Sequence, residues 1–212
     1  MGHLILTFPK TGSNLLAYIF GAKPYPAMTI DFEKIEINKI INDLKRKVKN
    51  NESIRFHYPY NAKLKEYFES LPNYILLHTL YRDPRDIICS IHRAIYIQKK
   101  HTFLDNVIPG IKLHKLPKQE TLNLLIENML PKFEDYNKWG ETGLFLKQYY
   151  SQIIKHPASR IYTPHKIVGE NGNYKKYMTE EQIEKSNKIY GELIELWKPQ
   201  RWWGWKGGFK WH

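Results

Sequence analysis

Lys10 directly follows the run Leu4-Ile5-Leu6-Thr7-Phe8-Pro9 and is itself followed by Thr11, Gly12, Ser13 and Asn14. A cation, a glycine and small polar residues at the turn from a strand into a helix suit the binding of a phosphate or sulfate. The unpaired amides of a first helical turn point toward the anion, and the lysine adds a full positive charge. Pro9 cannot donate to a sheet ladder and ends the strand, while Gly12 permits a turn closed to other residues. Ser13 or Asn14 is the expected cap of a helix carried by Leu15, Leu16, Tyr18, Ile19 and Phe20. An ordinary βα turn with a solvated lysine fits the same residues.

Two more residues have usable chemistry at comparable positions. His57 ends the short strand candidate Ser53-Ile54-Arg55-Phe56-His57, which Pro59 stops. A neutral imidazole is a suitable base near pH 7. Arg82 ends Tyr74–Tyr81, the strongest strand of the chain, apolar almost throughout as a strand covered on both faces should be. Lys10, His57 and Arg82 thus each lie at or just after the C-terminal end of a different predicted strand. In a parallel α/β sheet, ligands gather outside those ends.

The elements that must position these residues alternate between strand and helix. Ile35, Ile37, Ile40, Ile41, Leu44 and Val48 predict an amphipathic helix over 33–49, with Lys39, Lys45, Arg46, Lys47 and Lys49 on its solvated face. Leu64, Tyr67, Phe68 and Leu71 mark another helix. Asp83 is the expected cap and Pro84 the first residue of a helix whose stripe is Ile87, Ile88, Ile91 and Ile95. Ser90 lies roughly 60° beyond that stripe on a helical wheel, so it can face a crevice. Leu122 to Leu130 predicts a short helix, Trp139 to Ile154 a helix, and Ser159–Tyr162 a short strand. Thr179-Glu-Glu-Gln182 is a capping box opening a helix through Trp197. The expected fold is α/β: a P-loop-like parallel β-sheet flanked by helices, in a single domain over 1–212. Residues 199–212 form a Trp-rich basic tail, open to reading as a packed strap, a peripheral membrane contact or an acceptor-stacking surface.

Composition narrows the partners. Thirty-three Lys plus Arg against twenty-one Asp plus Glu give +12, which points to an anionic ligand. Cys89 is the single cysteine, so no internal disulfide forms. No segment reaches the roughly 18 apolar residues of a membrane span, and the chain reads as cytoplasmic.

Four segments together resemble the sulfotransferases that use 3′-phosphoadenosine 5′-phosphosulfate (PAPS). Thr7-Phe-Pro-Lys10-Thr-Gly12-Ser-Asn14 is similar to that family's 5′-phosphosulfate loop, and Tyr81-Arg82-Asp-Pro-Arg-Asp86-Ile-Ile-Cys-Ser90 to its 3′-phosphate motif. Arg55-Phe-His57-Tyr-Pro-Tyr60 resembles the segment bearing the catalytic histidine. Gly169-Glu-Asn-Gly172-Asn-Tyr-Lys175 resembles the C-terminal glycine motif. The resemblance implies His57 as general base, with Lys10 and Arg55 stabilising the leaving oxygen. It further implies a donor site of Lys10, Thr11, Gly12, Ser13, Asn14, Arg82, Ser90, Lys166 and Gly169. PAPS would leave as 3′-phosphoadenosine 5′-phosphate (PAP). No metal is implied.

The chain departs from the pattern in places. Leu15 stands where many members place an adenine-stacking Trp, so another aromatic must cover the base. Ile167-Val168 replaces the usual Arg-Lys pair, which leaves His165 or Lys166 as the substitute cation. No Tyr-Glu-Asp-Leu strand is legible between 130 and 160. The resemblance implies a small-molecule or glycan acceptor bearing a hydroxyl or amine, and Tyr25, Tyr58 and Tyr60 near the expected crevice point to a flat or apolar one. Nucleic acid is not the expected partner. Two other classes compete: a P-loop kinase, whose lysine would follow the glycines rather than precede Gly12, and a non-enzymatic polyanion binder.

Overall fold

The protein is seen here as a computed structural model, which describes residues 2–24, 36–96, 104, 107–160 and 171–199. Five strands form one sheet: β1 (Gly2–Thr7), β2 (Lys23–Pro24), β3 (Ile54–Phe56), β4 (Ile75–Tyr81) and β5 (Leu146–Tyr149). Their order is β2-β3-β1-β4-β5, and every pairing is parallel. Parallel neighbours need crossovers, which here run through α1 (Ser13–Ile19), α2 (Ile37–Lys49), α3 (Ala62–Glu69) and α4 (Pro84–Tyr96). Further along lie α5 (Lys118–Asn128), α6 (Leu130–Glu141), α7 (Tyr150–Ile153) and α8 (Glu180–Leu196).

Alternation along the strands divides the core between the two faces of the sheet. Leu4 and Leu6 of β1, with Leu77 and Tyr81 of β4, join a large cluster built with α2 to α6 and α8. Ile5 and Leu80 point the other way, into a smaller cluster with Leu15, Leu16, Tyr150 and Ile153. The α4 stripe of Ile87, Ile88, Ile91 and Ile95 is buried, as is Cys89. Asp83 caps α4 by accepting the Arg85 amide at 3.0 Å, with Pro84 as first helical residue. The capping box of α8 is complete in both directions. Among the described residues, no helix is long and apolar enough to cross a membrane.

Three expectations about elements change. The first residue of α1 is Ser13, and its cap is Gly12 at φ 104°, with no side-chain cap. The tight turn through Lys10 and Gly12 starts the helix before either Ser13 or Asn14 can serve as its cap. Trp139–Ile154 is three elements rather than one helix: the end of α6, then β5, then α7. The edge of β4 pairs Leu146–Tyr149 as a strand, with His78 opposite Leu146. Pro157–Arg160 is a 3₁₀ turn instead of the start of a strand. Residues 33–35 of the predicted second helix lie outside the described residues.

Candidate active site

The sheet order brings four strand ends side by side. β3, β1, β4 and β5 are consecutive neighbours running in one direction, so the chain leaves all four at the same edge. At these four exits stand His57, the loop through Lys10, Arg82 and Tyr150. The first three are the residues singled out in the sequence; Tyr150 is new.

His57 is held by the strand beside it. Its Nδ1 lies 2.6 Å from the Thr7 carbonyl and 3.0 Å from the Thr7 hydroxyl. A carbonyl only accepts, so Nδ1 carries the proton and Nε2 carries the lone pair. Burial is the main cause that lowers the imidazole pKa to about 4; the Thr7 carbonyl opposes it, and the charges of Arg55 and Lys10 add to it. The ring is therefore neutral at physiological pH, the form a base needs. The segment behind it is pinned by α6. Trp139 Nε1 donates to the Tyr58 carbonyl at 3.1 Å, and the Tyr60 amide donates to Asp135 at 3.0 Å. Tyr136 inserts its hydroxyl between β1 and β4, donating to the Leu6 carbonyl at 3.1 Å and accepting from the Leu80 amide at 3.2 Å.

The loop at Lys10 has a special backbone. Lys10 itself sits in the left-handed region at φ 69°, and Gly12 follows at φ 104°. A non-glycine residue persists there only where its surroundings hold it. Arg82 supplies one such hold, donating from Nη1 to the Lys10 carbonyl at 3.1 Å. The Gly12 side is closed by Tyr150: a Cβ at position 12 would stand 2.5 Å from its ring. Ser13 Oγ accepts from Arg55 Nη1 at 3.1 Å, which links the loop to β3. Thr11 turns inward; its buried hydroxyl donates to the Phe8 carbonyl at 2.7 Å, while Asn14 is exposed.

Arg82 is 7% exposed, and its guanidinium lies over the Tyr150 ring at 4.3 Å. Its Nε is buried without a hydrogen-bond acceptor, 3.9 Å from Asp86. Asp86 is itself committed, accepting the amides of Gly172 at 2.8 Å and Tyr174 at 3.0 Å. Burial raises the Asp86 pKa, while Arg82 and the two amides oppose that shift. The carboxylate thus ties the glycine segment near 172 to the start of α4. Ser90 is half-buried on α4, two turns on. Lys166, Gly169, His165, Ile167-Val168, Tyr25 and positions 200–212 of the tail lie outside the described residues. Burial pushes the Cys89 thiol up to about 12, so it stays protonated.

Tyr150, Tyr136, Trp139 and Asp135 were missed by sequence reasoning because the strand and helix that carry them were misassigned or unplaced. The Tyr149-Tyr150 pair at the end of the apolar run Leu144-Phe145-Leu146 was the available signal. Among the described residues, no group of three or more His, Cys, Asp or Glu could hold a metal ion.

No protein-family model matches the chain, and no curated protein matches it in sequence. Among solved structures, mouse sulfotransferase SULT7A1 complexed with PAP is similar to it, with a TM-score of 0.54 over 92% of this chain and 84% of that one. Sequence identity is 13%, so the likeness is one of architecture. The chain has a sulfotransferase fold.

Proposed function

We propose that the protein is an enzyme, a sulfotransferase that moves a sulfuryl group from PAPS to a hydroxyl or amine of a small-molecule or glycan acceptor. The observation that carries this reading is the convergence of Lys10, His57 and Arg82 at one edge of the sheet, with His57 held neutral and its Nε2 unprotonated. Fold alone does not assign chemistry; the residues at the site must. They suit a bisphosphate donor: Arg82 has a buried donor without an acceptor, beside the tight turn through Lys10 and Gly12 that opens α1.

The donor brings the sulfuryl group and a good leaving phosphate. His57 Nε2 takes the proton of the acceptor as its oxygen or nitrogen attacks. Lys10 stabilises the negative charge that develops on the bridging oxygen, with Arg55 beside it. The amides from Gly12 to Asn14 and the Ser13 side chain hold the 5′-phosphate, whereas Thr11 supports the loop from inside, its amide and hydroxyl both donating to the Phe8 carbonyl. Arg82 and Ser90 take the ribose 3′-phosphate. His57 loses part of what depresses its basicity once an anion offsets Lys10 and Arg55.

The test is thermal unfolding of the full chain with PAP and, separately, with ATP and Mg²⁺. A ligand at 100 times its Kd stabilises by about 2.7 kcal/mol, a rise of roughly 5–10 °C at this size. A rise with PAP, absent in Arg82→Ala, supports the reading. A rise with ATP and Mg²⁺ alone overturns it in favour of phosphoryl transfer.

A further inference from the structure

The outer face of α2 has no part in holding the donor. Its inner stripe, Ile40, Leu44 and Val48, is buried in the core. The residues that α2 exposes are Asn38, Lys39, Asn42, Lys45, Arg46 and Lys49. At roughly 100° per residue these six fall within an arc of about 120°, and Lys39 to Lys49 spans about 15 Å along the axis. Asp43 on the flank pairs with Arg46 at 2.5 Å. Among the described residues, Lys39, Lys45 and Lys49 meet no carboxylate at ion-pair distance.

The topology leads this face to the functional edge of the sheet. β2 and β3 are parallel neighbours, so α2 returns the chain from that edge and has its N-terminal end nearest to it. α3 makes the same return between β3 and β4 and packs beside α2. The first turn of each presents an exposed lysine, Lys39 and Lys63, and Lys63 follows His57 by six positions. The exposed carboxylates of these elements are Glu36, Glu66 and Glu69, of which Glu69 pairs with Lys65. Of the tyrosines expected to line the crevice, Tyr58 is buried and Tyr60 packs against Trp139.

Such a face fits a long polyanion. Its cations attract the charge, and the amides of Asn38 and Asn42 between them can donate to and accept from hydroxyl groups. The exposed residues of α2 include no aromatic on which a base could stack, and its apolar side is in the core rather than free to enter a lipid layer. We propose that the acceptor is an acidic polysaccharide, held along α2 so that one of its hydroxyls reaches His57. The inference rests on the PAPS reading above and selects the acceptor within it. Transfer forms a bond from that hydroxyl oxygen to sulfur as the sulfur–oxygen bond to PAP breaks, and the hydroxyl proton goes to His57 Nε2.

The test is binding of the full chain to labelled chondroitin, an unsulfated polymer of uronate and amino sugar, over a range of salt and beside neutral dextran. The parent should bind chondroitin and not dextran, and should transfer label to it from radiolabelled PAPS. The triple variant Lys39→Gln, Lys45→Gln, Lys49→Gln should bind chondroitin at least about tenfold more weakly, with a salt slope lower by about two, and keep the parent's PAP affinity and melting temperature. A control triple, Lys115→Gln, Lys147→Gln, Lys188→Gln, removes the same charge from other exposed positions and should stay within about twofold of the parent. Equal loss in the control, or tighter parent binding to duplex DNA or phosphatidylserine vesicles than to chondroitin, overturns the acceptor inference. A parent that binds PAP and fails to bind or label chondroitin overturns it too, and the donor reading stands. A parent that binds chondroitin and not PAP overturns the donor reading and the acceptor role with it.

Discussion

The guanidinium of Arg82 donates to the backbone carbonyl of Lys10 at 3.1 Å across 72 positions of sequence. The strand registers explain why these two meet. β1 and β4 pair from Gly2 with Ile75 through Thr7 with Leu80, so the loop after β1 and the residue after β4 leave the sheet together. Arg82 therefore holds Lys10 in its left-handed conformation.

Removing the two cations should have different consequences. Lys10→Ala is expected to lower kcat by about 10²–10³, because it removes a charge aimed at the leaving oxygen. Arg82→Ala should act mainly on donor affinity, by about 10–10². Steady-state kinetics at saturating PAPS, beside PAP titrations, separate the two. Equal effects on kcat and on PAP binding in both variants would contradict the assignment.

His57→Ala should lower turnover by about 10²–10⁴ and leave PAP affinity within about threefold, the pattern for a base that does not hold the donor. The imidazole itself can be followed by NMR. In the ligand-free protein it should titrate near the value of about 4 set chiefly by burial, and PAP should move that titration upward by offsetting Lys10 and Arg55. Turnover within about threefold of the parent in His57→Ala would rule the residue out as base.

Gly12→Ala should cost about 2–4 kcal/mol of stability, from a positive φ and from overlap with Tyr150. Urea unfolding measures it. Combining Gly12→Ala with Tyr150→Leu should recover the overlap and not the backbone strain. An unchanged unfolding midpoint in Gly12→Ala would mean that the loop adopts another conformation.

Acid should destabilise the protein through a histidine pair on the sheet. His3 Nδ1 and His78 Nε2 are 2.9 Å apart, with Gln148 Nε2 3.5 Å from His78 Nδ1 and Phe20 stacked on both rings. Burial, then the neighbouring His3, lowers the His78 pKa from 6.5 to about 4. The unfolded chain therefore binds the proton more readily, and this stability is complete above pH 6.5 and lost as pH falls toward 4. Urea midpoints measured near neutral pH and at a mildly acidic pH, about one unit above the folded value, should differ less in His78→Gln than in the parent. An identical drop in both would exonerate His78.

Local signals made much of this protein readable. Strand candidates ending at Thr7, His57 and Tyr81, each with a basic residue at its end or within three positions after it, were enough to infer a parallel sheet that gathers those residues at one edge. Pro84 after Asp83 and the Thr179–Gln182 box fixed helix starts because capping is chemistry between residues two or three apart. What sequence could not give was anything set by partners far along the chain. β5 is a strand because β4 offers it an open edge, and its exposed Leu146 and Lys147 carry no strand signal of their own. Tyr150 reaches the loop only because β5 lies next to β4. The His57 tautomer depends on a carbonyl 50 positions away, and the pose of Lys10 on a guanidinium 72 away. Residue types and short spacings are local facts of the chain. Which side chain fixes a backbone turn, and which proton an imidazole keeps, are decided by packing across the sheet.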